Sequence, residues 1–181
     1  MSPTKIFDDR EVHLLDSEYP QTEITTHRYT VRAIALNNHD EVAMLRIETS
    51  DHFGHRHHLE SPGGGVEPGE TVVETLIREL QEEIGYKVAF YLPLGRVAQD
   101  YNLIHATHHA VYFMVRVGDK VALNRTDDEQ QFIQEVVWMP IQKLYHYLLS
   151  NPQTGAGHLI HVRERLMIER AISMLQKLPK E

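Results

Sequence analysis

Apolar and polar positions change period several times along the 181 residues, and each change predicts an element. Residues 24–36, ITTHRYTVRAIAL, are rich in β-branched and aromatic side chains and read as a strand. A turn signal, Asn37-Asn38-His39-Asp40, separates it from a second strand at 41–47, so a hairpin is expected. Residues 50–58 are polar and predict a loop, followed by a short strand at 59–61. Val73, Leu76, Ile77, Leu80 and Ile84 then recur at the spacing of one buried helical stripe. Thr71 and Glu74 form a capping box that starts this helix, and Gly85 is suited to stop it. Residues 87–101 predict a strand kinked at Pro93 and Gly95, 108–117 a long strand ended by Gly118-Asp119, and 135–139 a strand closed by Pro140. Between the last two, residues 125–131 read as an acidic loop. Two helices end the chain, at 141–149 and at about 159–178, the second with a stripe through Met167, Ile168, Ala171, Ile172 and Leu175.

Strands, one helix, more strands and then helices predict an α/β fold, a mixed sheet covered by helices on both faces. A single domain over 1–181 is expected from the length, without repeats or linkers. Residues 1–23 form an N-terminal extension, with 12–15 as a short edge strand and no function placed there.

Composition narrows the function classes. With 41% hydrophobic and 24% charged residues the chain is an ordinary globular one, and its net charge of −8 argues against a nucleic-acid backbone as partner. The chain lacks cysteine, which excludes disulfides, thiol catalysis and thiolate metal sites. The polar N-terminus predicts no signal peptide, and no apolar run approaches the roughly 18 residues of a membrane span, so a cytoplasmic protein with no membrane partner is expected.

The chemistry concentrates at 63–86. Gly63, Gly64 and Gly65 allow backbone to approach a ligand closely. Within the following helix Glu79, Glu82 and Glu83 stand at i, i+3 and i+4 and so share a face, where like charges repel by roughly 0.2 to 0.5 kcal/mol per pair. A hard divalent cation, Mg²⁺ or alternatively Mn²⁺, removes that penalty and keeps sites open for a phosphate and a nucleophile. The three carboxylates therefore predict a metal site.

Gly64, Glu70 and the run Arg78-Glu79-Leu80-Gln81-Glu82-Glu83-Ile84-Gly85-Tyr86, at these offsets, resemble the Nudix box of Nudix hydrolases. Tyr86 departs from the pattern, where an aliphatic residue is usual; it occupies a packing position rather than a ligand position. The resemblance implies an α/β/α sandwich and a Mg²⁺-dependent hydrolase. Such an enzyme cleaves a phosphoanhydride in a nucleoside diphosphate linked to another moiety: a nucleoside triphosphate, a dinucleoside polyphosphate or a nucleotide sugar. Water is the nucleophile. Glu79, Glu82, Glu83 and the Gly63 carbonyl would hold metal, Glu79 would act as base, and an Arg78–Glu70 ion pair would fix the helix against its loop. A small-molecule nucleotide is the expected partner, with a homodimer left open. The alternative is a Nudix-fold nucleotide-binding or regulatory module without turnover, against which the intact carboxylate set argues.

Outside the box, Asp127, Asp128, Glu129 and Glu135 occupy the region where the family often adds a carboxylate, and Glu129 is the chosen candidate. His55, Arg56, His57 and His58 would overhang the substrate, with Arg56 and His58 as binding candidates; a solvated loop is the competing reading, and a zinc site lacks the spacing of zinc frameworks. Arg32 and Arg46 fall in predicted strands, where an arginine either faces solvent or reaches a cleft, and Arg46 is taken as substrate-binding. Tyr101 occupies a region where members that cleave dinucleoside polyphosphates carry a tyrosine, although a core tyrosine explains it equally well. His105, His108 and His109 read as structural.

Overall fold

The computed structural model describes residues 11–178. Residues 1–10 of the expected N-terminal extension lie outside them. In chain order the elements are β1 (Glu11–Leu14), β2 (Thr26–Leu36), β3 (Glu41–Asp51), β4 (Gly54–Glu60), β5 (Gly63–Gly65), α1 (Val72–Ile84), β6 (Tyr86–Tyr101), β7 (Ala106–Lys120), α2 (Asp127–Phe132), β8 (Ile133–Pro140), α3 (Ile141–Ser150) and α4 (Gly155–Lys177). Among the described residues the strands make one mixed sheet in the order β1-β6-β7-β2-β3-β4, with β5 paired to β2 and β8 to β3. β1 is parallel to β6 and β2 parallel to β7, while β6–β7, β3–β4 and β3–β8 are antiparallel. No described helix is long and apolar enough to cross a membrane.

The central strands are apolar on both faces, so each face needs a cover. Alternation along β2 sends Val31, Ala33 and Ala35 to one side and Ile34 and Leu36 to the other. The first set packs with Leu76, Leu80 and Ile84 of α1. The second packs with Leu144 and Leu148 of α3 and Met167, Ile168 and Ala171 of α4. The result is the expected α/β/α sandwich, and the bond ladder of the sheet sets where its functional loops emerge.

Several boundaries differ from the sequence reading, each for a physical reason. The β2–β3 hairpin meets only at Leu36↔Val42, because β2 spends its edges on β7 and on the glycine strand β5. Residues 50–58 are not a loop: β3 runs to Asp51 and β4 returns from Gly54, their seven backbone pairings overriding the polar composition. The acidic segment is a short helix, α2, closed by its own capping box of Thr126 and Glu129. α4 starts at Gly155, four residues before the predicted onset at 159. In α1, Ile77 lies 37% exposed, whereas Thr75, Glu79 and Glu83 are buried, so the packed face is rotated toward the carboxylates.

Candidate active site

α1 starts and stops where local chemistry dictates. The Thr71 hydroxyl accepts from the Glu74 amide and Glu74 returns a bond to the Thr71 amide, while Gly85 takes φ 72° and donates to the Leu80 carbonyl. Between these fixed ends Glu79 and Glu83, both 5% exposed, aim at the β5 glycines. Gly63 has φ 142°, and a Cβ there would meet the Val31 carbonyl oxygen at 2.0 Å, so only glycine fits. Its amide donates to Glu83 Oε2 at 2.7 Å. One oxygen of Glu83 is therefore turned to the backbone.

Arg78 gathers the other acids. Its Nε donates to Glu70 Oε1 at 2.7 Å and Nη2 to Glu70 Oε2 at 3.0 Å. Nη1 reaches Glu79 Oε1 at 2.8 Å and Glu82 Oε2 at 3.0 Å, and Nη2 also reaches the Gly65 carbonyl at 3.2 Å. This bidentate clamp on Glu70 holds its carboxyl at about 2, below the usual range. Burial pushes the Glu79 carboxyl upward against the pull of Arg78, and nearby Glu82 and Glu129 add to the rise. Burial also raises Glu83 well above the ordinary carboxylate range, despite the Gly63 amide.

One carboxylate oxygen each from Glu79, Glu82 and Glu129 lies within 4.8 Å of the others. Hard oxygen donors so grouped, with neither imidazole nor sulfur among them, fit a hard divalent cation such as Mg²⁺ or Mn²⁺. Glu129 reaches this group while its Oε2 accepts from the Thr126 amide at 2.7 Å, so the cap of α2 fixes its position. Asp127 and Asp128, in the same turn, do not line the cleft. The cleft has a volume of about 280 Å³ and also exposes Arg28 and Arg32.

The two strand arginines, both half-buried, differ in which of them lines the cleft. Arg32 lines the cleft, donating to the Ser61 carbonyl at 2.7 Å and pairing with Glu60 at 2.6 Å. Arg46 does not, which corrects its expected place: it pairs with Glu135 at 2.6 Å, and its neighbour Leu45 is the residue that faces the cleft. His58 is likewise displaced from the expected position, being buried 3.5 Å from Glu60 Oε2 and lining no part of the cleft. Arg56 grips Asp51 and lies over the Phe53 ring at 5.2 Å. Tyr101 is 4% exposed and donates to Gln99 Oε1, at the wall of a cavity beside the cleft.

The sequence reading missed Glu60, Arg28, Arg163 and Glu164. Burial opposes ionisation of Glu60, yet Arg32, His58 and Arg163 hold it well below the usual range. Fully buried Glu164 accepts from Ser61 Oγ at 3.1 Å and Tyr112 Oη at 3.0 Å, joining α4 to the strand end that leads into the glycines. The available signal was a charged Arg163-Glu164 pair inside an apolar helical stripe.

The chain is similar to known proteins in sequence and in fold. The chain is 31% identical over 124 residues to a Mycobacterium tuberculosis protein named MutT4, matching 66% of this chain and 43% of that protein. It is 30% identical over 92 residues to nucleoside triphosphatase NudI of Escherichia fergusonii, matching 49% of this chain and 65% of NudI. The chain thus spans less than two thirds of either relative's length. A NUDIX hydrolase from Nitrosomonas europaea shares the fold at a TM-score of 0.64 and 19% identity, covering 86% of this chain and 98% of that one. The family model described as NUDIX domain matches residues 26–161, a span that carries β2, the glycine turn, the whole of α1 and Glu129; the chain belongs to that family.

Proposed function

We propose that the protein is a divalent-cation-dependent hydrolase of a phosphoanhydride bond in a nucleoside diphosphate linked to another moiety. The grouping of Glu79, Glu82 and Glu129 oxygens within 4.8 Å carries this reading. When bound, a Mg²⁺ or Mn²⁺ ion held by these residues would neutralise the diphosphate and make an attacking water more acidic. Glu79 would take the proton of that water, its buried carboxylate standing in the group that would hold the cation. Arg78 orients Glu79 and Glu82 from behind, and Glu83 holds the glycine turn through the Gly63 amide. Arg32 offers positive charge to phosphate oxygens entering the cleft.

NudI is named a nucleoside triphosphatase, which puts nucleoside triphosphates first among the substrates to try. The test is a panel of nucleoside triphosphates, dinucleoside polyphosphates and nucleotide sugars, assayed for phosphate and pyrophosphate release with Mg²⁺. Turnover should require the cation, and Glu82→Gln should lower kcat by about 10²-fold or more with the fold intact. Undiminished turnover in excess chelator would overturn the proposal.

A further inference from the structure

Beside the carboxylate cleft lies a second cavity of about 330 Å³, and the two share Arg28, Arg32 and Glu60. Their charge is opposite in sense. Four carboxylates (Glu60, Glu79, Glu83 and Glu129) face two guanidiniums, Arg28 and Arg32, in the cleft. In the second cavity four guanidiniums, of Arg28, Arg32, Arg56 and Arg163, face the carboxylates of Asp51 and Glu60. His108 in its wall adds no charge near neutrality, since burial and then Arg28 lower its pKa to about 4. In a chain with a formal charge of −8, so local an excess of cations requires a reason.

The arginines themselves carry unpaired donors. The Nε atoms of Arg32, Arg56 and Arg163 are buried with no hydrogen-bond partner, although the terminal nitrogens of all three are engaged. Arg163 is 3% exposed. Buried donors without a partner are rare in folded proteins, and three arginines carrying them on one cavity point to an acceptor that belongs there. The side chain of Arg28, exposed at the boundary between the two cavities, makes no hydrogen bond or ion pair among the described residues. One wall is apolar: Phe53 meets Tyr101 edge-on at 5.9 Å, and Tyr101 lies 4.6 Å from the His108 ring.

We propose that this second cavity is an anion subsite that takes a phosphate group of the substrate remote from the bond cleaved, with Arg28 as its specificity-determining residue. A substrate seated this way places its diphosphate among the carboxylates and a further phosphate among the arginines. The class so selected is a nucleotide with a second phosphate, or with a phosphate chain longer than the diphosphate that is cut. The assignment of the phosphate to a substrate rests on the hydrolase reading; the anion subsite itself does not.

Calorimetric titration of inorganic phosphate and pyrophosphate into the protein in chelator tests the subsite without turnover. One site should be filled, Arg28→Gln should weaken it about tenfold or more, Arg28→Lys should retain part of the affinity, and Glu82→Gln should bind as the parent does. Absence of binding at millimolar phosphate, or equal binding by Arg28→Gln, overturns the proposal. With Mg²⁺ restored, Arg28→Gln should raise KM for a nucleoside triphosphate about tenfold with kcat within about twofold. KM for a nucleotide linked to a neutral sugar should rise less than about threefold, since Arg28 also borders the cleft; an equal rise for both overturns the selectivity. Arg28-dependent phosphate binding in a protein that turns over no nucleotide would sink the hydrolase reading and leave the subsite standing.

Discussion

Gly64 and Glu79 are packed so closely that a methyl group on Gly64 would lie 2.3 Å from the Glu79 Oε1 atom. The atom in the way is the end of a side chain rather than backbone, so Gly64→Ala leaves the fold intact and displaces the carboxylate. The variant should melt within a few degrees of the parent and lose about 10²-fold in kcat, the usual cost of moving a reacting group by about 1 Å. Steady-state kinetics beside a melting curve checks this, and retained kcat would refute it.

Arg78→Ala removes five hydrogen bonds at once and leaves Glu70, Glu79 and Glu82 without their shared cation. Divalent-ion affinity should fall about 10- to 100-fold. Arg78→Lys should recover only part, because an ammonium cannot span Glu70, Glu79 and the Gly65 carbonyl as a fork does. Mn²⁺ titration measures both, and unchanged affinity in Arg78→Ala would remove its positioning role.

The base is decided by comparing two amide variants. Glu79→Gln should slow single turnover by orders of magnitude. Glu129→Gln should weaken cation binding but, at saturating Mn²⁺, slow single turnover by less than tenfold, under roughly 1.4 kcal/mol of transition-state stabilisation. Adding Asp127→Asn and Asp128→Asn to the latter should change little, since neither lines the cleft. A larger loss from Glu129→Gln than from Glu79→Gln would reverse the assignment.

His161 sets an acid limit on stability. Burial, with repulsion from His58, Arg165 and His158 and opposed by Glu60, lowers its pKa from 6.5 to about 4, and neither ring nitrogen has a hydrogen-bond partner. A folded pKa below the unfolded one means that the unfolded chain binds more protons between these values. Stability is therefore complete above about 6.5 and declines as pH falls through about 4. His161→Leu should flatten this decline in urea midpoints measured across the same range; an equal slope would exclude His161 as its source.

The grouping of Glu79, Glu82, Arg78 and Glu70 was legible because it depends on spacing within one helix and its leading turn, and a helix converts spacing into geometry directly. The layers were legible for a similar reason: two-residue alternation in β2 and the stripe of α4 each name a buried face. Arg46 and Arg32 show the limit. Both sit in strands rich in apolar residues, and which one reaches the cleft depends on strand pairings far apart in sequence: Arg46 opposite Glu135 on β8, Arg32 opposite Gly63 on β5. The strand at Gly54–Glu60 was hidden because its residues are polar while its ladder with β3 is not visible in local composition. The arginine cavity was invisible because it draws on β2, β4 and α4 together.

The last turn of α1 is fastened to the segment that leads into α2. Arg125 donates from Nε at 3.1 Å and from Nη2 at 2.8 Å to the Glu83 carbonyl, and the Val121 amide donates to the Gly85 carbonyl at 2.8 Å. Residues 121–126 therefore act as a strap of fixed length, tied to the end of the carboxylate helix at both Val121 and Arg125 and leading directly into the turn that carries Glu129. For anyone re-engineering this scaffold, the strap is the wrong place to splice: one added residue there alters the reach of Glu129. The Asn151–Thr154 turn between α3 and α4, which supplies nothing to the carboxylate cleft, is the permissive site for an inserted tag or domain.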